Sequence, residues 1–177
     1  MKIAGHTARV TSLFESTPQY FRPYLTDDMP EFSITVTREN IDFEQADLLE
    51  EALRDGFKPR VFTDPFLERA AIQRAVAEFL FDRDVLMLHG STVAVDGRAY
   101  LFTAKCGTGK STHARQWQKI FGDAVRVIND DKPALRFVDG CWYAYGTPWC
   151  GKDGININEK AKLAGICFLK RGTEKRR

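Results

Sequence analysis

The residues of this chain best suited to chemistry are the run Cys106-Gly107-Thr108-Gly109-Lys110-Ser111-Thr112 and, further along, the adjacent acids Asp130 and Asp131. A glycine loop between a strand and a helix can present successive backbone N–H groups to phosphate oxygens, and the helix dipole favours the same negative charge. Gly107 and Gly109 allow the backbone to turn inward, Lys110 is placed to reach β- and γ-phosphates, and the Ser111 hydroxyl is placed to face a bridging Mg²⁺ ion. Thr112 adds a further phosphate contact. The pattern is that of a Walker A loop, G-x-x-x-x-G-K-[ST], with Ala104 in place of the outer glycine.

The elements around the loop have the order such a site needs. Val85–Leu88, Ser91–Val95 and Ala99–Ala104 read as strands, and Asp96-Gly97 joins the last two as a hairpin, so the sheet must be mixed. After Lys110, Ala114, Trp117 and Phe121 recur at helical spacing up to Gly122. The strand Ala124–Ile128 then runs into Asn129, Asp130 and Asp131, as a Walker B strand runs into its acid. One carboxylate of the pair would hold Mg²⁺ while the other handles a proton. Asn129 also suits a plain polar turn. His89, followed by Gly90, closes the strand before the hairpin. Further strands are expected at Ala134–Val138, Cys141–Tyr145 and Ala164–Leu169, with a turn at Asp139-Gly140.

Upstream, residues 1–84 read as a small α/β region with the strand Phe32–Val36 and several prolines, and residues 85–177 as the core that carries the loop. The first region ends in a helix: Asp64 is the expected cap, Pro65 suits the first turn, and Ile72, Val76, Phe79 and Leu80 share a face expected to pack on the sheet that follows.

Composition narrows the classes. The 177 residues are 44% hydrophobic and 28% charged, the mix of a soluble folded chain, and a net charge of +2 gives no field that selects nucleic acid. No apolar run is long enough to span a bilayer and the start has no signal-peptide core, which predicts a cytoplasmic protein without a membrane partner. The basic tail, Lys170, Arg171, Lys175, Arg176 and Arg177, reads as a solvated terminus. Cys106, Cys141, Cys150 and Cys167 are too irregularly spaced for a zinc site and read as reduced thiols, mostly core filling. Cys106 stands apart, because loop amides and Lys110 surround it in sequence.

The stretch from Leu88 to Trp117, followed by Val127–Leu135, resembles the catalytic domain of the HPr kinase/phosphorylase family. There a strand ends in His-Gly, a hairpin leads to a glycine-rich loop, and a later strand ends in Asp-Asp. The form of the loop is also similar to that of ATP-dependent phosphoenolpyruvate carboxykinase, of the same structural superfamily. The resemblance covers about residues 85 to 170. It implies a mixed-sheet P-loop domain using ATP and Mg²⁺. Lys110 would be the phosphate-binding lysine, Ser111 the metal-binding hydroxyl, Asp130 and Asp131 the shared metal and general-base pair, and His89 the active-site histidine. Cys106 stands where both families have serine. Where HPr kinases carry a Glu-Ile-Arg-Gly run, this chain has "YGTPWCGKDGININ", so the likeness lies with the broader group of HPr-kinase-related proteins, some of which phosphorylate serine, free or within a peptide. Related proteins generally continue past the last strand with helices, which implies a continuation beyond this chain.

The expected activity is ATP- and Mg²⁺-dependent transfer of the γ-phosphoryl group to a serine-type hydroxyl on a small molecule, peptide or protein. The segment 147–154 is the candidate acceptor side, with Trp149 and Tyr145 as walls and Lys152 for an anionic group; a polar surface loop with a buried tryptophan reads from the same residues. A nucleotide-binding regulator, an ATPase without acceptor and a carboxykinase-like enzyme stay open alongside, as does assembly into a homo-oligomer.

Overall fold

The computed structural model describes residues 1–172, so Lys175, Arg176 and Arg177 of the basic tail lie outside the described residues. The chain divides into two units, Met1–Asp82 and Arg83–Arg177.

In the first unit a left-handed turn at Ala4 and Gly5 folds strand β1 (Lys2–Ile3) back on β2 (His6–Thr11), and β3 (Phe32–Thr35) joins β2 in parallel. Three helices accompany this sheet: α1 (Ser16–Tyr20), α2 (Arg38–Arg54) and α3 (Asp64–Phe81). Helix α2 starts where the Thr37 N–H donates to Asn40 Oδ1 at 2.9 Å, and only Ile41 and Glu44 along it are buried.

Helix α3 buries Leu67, Ile72, Val76 and Leu80 and packs on α1, α2 and β2 of its own unit. Thr63, not Asp64, is its N-cap residue; Asp64 is already helical, and its carboxylate pairs with Arg38 at 2.6 Å. Arg74 of α3 binds Glu44 of α2 side-on, Nε and Nη2 donating to its two carboxylate oxygens at 2.5 and 3.1 Å, and Nη2 also reaches Asp47 at 2.5 Å. Those partners raise the Arg74 pKa and keep the buried Glu44 carboxylate paired, as its burial requires.

The second unit is a seven-stranded mixed sheet with one long helix. Its strands are β4 (Val85–Met87), β5 (Gly90–Val95), β6 (Arg98–Thr103), β7 (Val125–Asp131), β8 (Ala134–Val138), β9 (Cys141–Tyr145) and β10 (Lys160–Phe168). The order across the sheet is β4-β8-β9-β10-β6-β5-β7, and β10–β6 is the parallel pair. Both Asp-Gly turns are formed with left-handed backbone at each residue: Asp96 and Gly97 join β5 to β6, and Asp139 and Gly140 join β8 to β9.

Helix α4 (Lys110–Phe121) lies on β5, β6 and β7. Its Ala114 packs with Val93, Phe102, Val125 and Val127, with Trp117 at the margin. The opposite face of the sheet carries a second cluster, Ala94, Ala99, Ile128, Leu135, Ala144 and Ala161. Phe121, expected on the buried stripe of α4, is exposed. Among the described residues no helix is long and apolar enough to cross a membrane.

Candidate functional site

The site residues gather because four strand ends share one row. Gly90, the first residue of β5, pairs with Thr103, the last of β6, and with Asp131, the last of β7; Thr103 also pairs with Phe168, the last of β10. The glycine loop leaves the sheet at Thr103 and the acids arrive at Asp131. With strands spaced by about 4.8 Å, those two points lie about 10 Å apart. Space at Gly90 is tight: a Cβ there would stand 3.0 Å from the Phe102 carbonyl oxygen and 3.2 Å from Leu101 Cδ1.

The loop closes on itself before α4. Gly107 (φ 73°) and Gly109 (φ 111°) both take left-handed backbone that side chains rarely adopt, which is the physical reason for glycine at each. Thr108 N–H donates to the Lys105 carbonyl at 3.2 Å, and His113 N–H to the Gly109 carbonyl at 2.9 Å, which starts the helix at Lys110. The N–H groups of the first helical turn have no helical carbonyl to bind and so suit an anion. Lys110 is 8% exposed and folds back so that its Nζ donates to the Ala104 carbonyl at 3.0 Å. Any residue supplies that carbonyl, so Ala104 serves where the motif has glycine. Cys106 and Gly107 are exposed, and Thr108, Gly109 and Ser111 half-buried.

Asp130 and Asp131 belong to β7 itself, since the strand runs on through Asn129 instead of stopping at Ile128. Val93 and Phe102 face α4. Ser91 stands directly opposite Phe102 on one side and Asp130 on the other, and directly opposed residues share a face, so Asp130 also lies on the α4 side. It is 6% exposed, and its Oδ1 is buried without a hydrogen-bond partner among the described residues. Asp131, next along the strand, is half-buried and its Oδ1 lies 3.3 Å from His89 Nε2. The His89 carbonyl accepts from Thr103 Oγ1 at 2.9 Å, which ties the histidine to the strand that launches the loop.

Asn129 is the organiser that sequence reading missed. It is fully buried; its Nδ2 donates to the carbonyls of Thr147 (2.9 Å) and Trp149 (3.1 Å), and its Oδ1 accepts the N–H groups of Asp131 and Lys132. The segment after β9 is thereby laid along β7: Asp131 bridges to Cys150, Asn129 to Asn156, and Gly151 N–H reaches the Asp130 carbonyl at 3.3 Å. The proposed acceptor segment thus borders both acids. Within it Trp149 is 5% exposed and Lys152 exposed, and Tyr145, at the end of β9 just before it, is half-buried. Asp153 pairs with Arg115 of α4, which anchors the tip of the segment to the helix behind the loop.

The cysteines differ from the expected core filling: Cys106 and Cys167 are exposed and Cys141 and Cys150 partly so. Cys150 Sγ receives Asn156 Nδ2 at 3.0 Å. Among the described residues no three His, Cys, Asp or Glu side chains cluster as a self-sufficient metal site. The donors present suit Mg²⁺ nonetheless, because that ion keeps several waters and takes one or two protein oxygens besides substrate phosphates. The orphaned Asp130 Oδ1 is such an oxygen, and Ser111 stands in the first turn of α4, the helix on that face.

No protein-family model matches the chain, and no curated protein does. Among solved structures the chain is similar to "Structure of the Hpr(Ser) kinase/phosphatase from Coxiella burnetii", at 12% sequence identity and a TM-score of 0.38. The match covers 51% of this chain and 63% of that one, so the chain spans less than two thirds of that protein's length.

Proposed function

We propose that this chain binds ATP with Mg²⁺ and transfers the γ-phosphoryl group to a serine-type hydroxyl, free or within a peptide or protein. The observation that carries the reading is Asp130: a buried carboxyl oxygen without a partner among the described residues, on the α4 face, one residue in from the row of strand ends from which the glycine loop departs. A buried polar oxygen left unpaired costs about 1–3 kcal/mol, which a bound cation offsets.

Loop amides and the Lys110 ammonium hold the β- and γ-phosphates, with Lys110 leaving the Ala104 carbonyl to do so. Ser111 and Asp130 would hold Mg²⁺, which would supply charge neutralisation at those phosphates. Asp131, oriented by His89, accepts the proton of the acceptor hydroxyl. The new bond forms between that oxygen and the γ-phosphorus as the bond from the γ-phosphorus to the β–γ bridging oxygen breaks, and ADP leaves with the electron pair. Catalysis is then positioning and electrostatics, with the segment after Thr147 bordering the acceptor.

Isothermal titration with ATP and Mg²⁺ tests the binding step. Micromolar affinity in the parent, weakened at least about tenfold in Lys110→Ala, is expected from the loss of a charge-assisted contact. Equal affinity in both, or none in the parent, overturns the reading. An acceptor screen beginning with serine, with phosphate release followed in parallel, separates transfer from plain hydrolysis.

A further inference from the structure

Arg171 belongs to a tail that carries no function in the sequence reading, yet its guanidinium Nη2 donates to the Gly107 carbonyl at 2.6 Å, across 64 positions of the chain. The backbone delivers it there: Leu169 N–H donates to the Thr103 carbonyl at 2.9 Å, which carries the β10–β6 pairing to the residue from which the loop leaves. Nothing lies within 4 Å of where a Gly107 Cβ would be, so the loop is open on that side. The Gly107–Thr108 peptide is held at both ends, its N–H by Lys105 and its carbonyl by Arg171.

A guanidinium offers five N–H donors, and the bond to Gly107 uses one of them. Among the described residues no carboxylate forms an ion pair with Arg171, whereas Arg115, Arg126, Arg38 and Arg74 each have one. A neutral carbonyl is a poor final partner for a cation when a phosphate chain is adjacent, because the charged pair is about twice as strong. From this we infer that Arg171 is a further phosphate-binding residue: it exchanges the Gly107 carbonyl for a γ-phosphate oxygen of bound ATP and offsets the charge that develops during transfer. The inference rests on the ATP reading above. It selects a nucleoside triphosphate over the diphosphate, since ADP lacks the oxygen that Arg171 meets.

The test is titration of ATP and of ADP, each with Mg²⁺, into the full chain and its Arg171→Ala and Arg171→Lys variants, with Lys110→Ala alongside and thermal unfolding as the folding control. The expected result is a loss of about tenfold in ATP affinity for Arg171→Ala and under about twofold in ADP affinity, with Arg171→Lys between parent and alanine. ATP and ADP weakened by the same factor would make Arg171 a clamp on the loop and overturn the inference, as would no change in either. In both of those cases Lys110→Ala still weakens ATP binding at least about tenfold and the ATP reading stands. A folded parent that binds neither nucleotide overturns both.

Discussion

Ser91 on β5 and Asp130 on β7 stand directly opposite one another, and each buries a side-chain oxygen that has no hydrogen-bond partner among the described residues. Two such oxygens facing each other near the strand ends concentrate unsatisfied polarity where the proposed reaction needs a cation.

Ser91→Ala therefore removes a hydroxyl without breaking a bond. In the ligand-free chain its unfolding free energy is expected within about 1 kcal/mol of the parent, or slightly above it. Thermal unfolding without nucleotide or Mg²⁺ checks this, and a fall of several degrees would show that the hydroxyl has a partner.

The two acids occupy opposite faces of β7 and should separate on mutation. Asp130→Asn is expected to raise the Mg²⁺ concentration needed for nucleotide binding, while Asp131→Asn leaves nucleotide affinity in place and slows transfer by about a hundredfold, the scale of a lost general base. Mg²⁺ titrations and single-turnover transfer read the two effects. Similar, mild changes in both variants would mark the pair as a polar strand end and nothing more.

Gly146 sits where the chain turns back along β7. A Cβ there would stand 1.8 Å from the Ile157 carbonyl oxygen and 3.0 Å from that of Ile128, both backbone atoms that side-chain rotation cannot clear. Gly146→Ala is expected to destabilise the fold by about 3 kcal/mol and to detach the segment bordering the acids. Denaturant unfolding and loss of hydrogen-exchange protection at Ile157, whose N–H donates to Ile128 at 3.0 Å, would show it.

Glu31 supplies a pH dependence in the first unit. The hydrogen bond from His6, at 2.8 Å, and the Thr7 N–H hold its carboxyl below the usual value of 4.5 despite some desolvation. A lowered folded-state pKa adds stability that is present above the unfolded value and lost as pH falls through the folded one. Glu31→Gln is expected to lower thermal stability slightly at neutral and alkaline pH and to match the parent at low pH, where the parent has already lost the contribution, so that the acid limb below about pH 5 is flatter; the effect is small because Glu31 is largely solvated. An unchanged acid limb would show that the pair contributes nothing.

Much of the second unit was legible because its signals are local. Asp96-Gly97 and Asp139-Gly140 specify tight hairpins through the backbone their own residues tolerate, and Ala114 and Trp117 specify a helix through their spacing. The first unit was less legible, since α2 buries few residues and is held to α3 by the pairing of Glu44 with Arg74, 30 positions away.

By itself the sequence determined the strand, glycine loop, helix and acid-bearing strand, because glycine conformations, turn chemistry and periodicity act within a few residues. Only the tertiary structure decided that β5 lies between β6 and β7, that Asn129 is a buried bracket for Thr147 and Trp149, and that Arg171 meets Gly107. Those relationships come from strand pairing and buried hydrogen bonds between distant positions, and pairing energy depends on which strands become neighbours, a property no short window of residues carries.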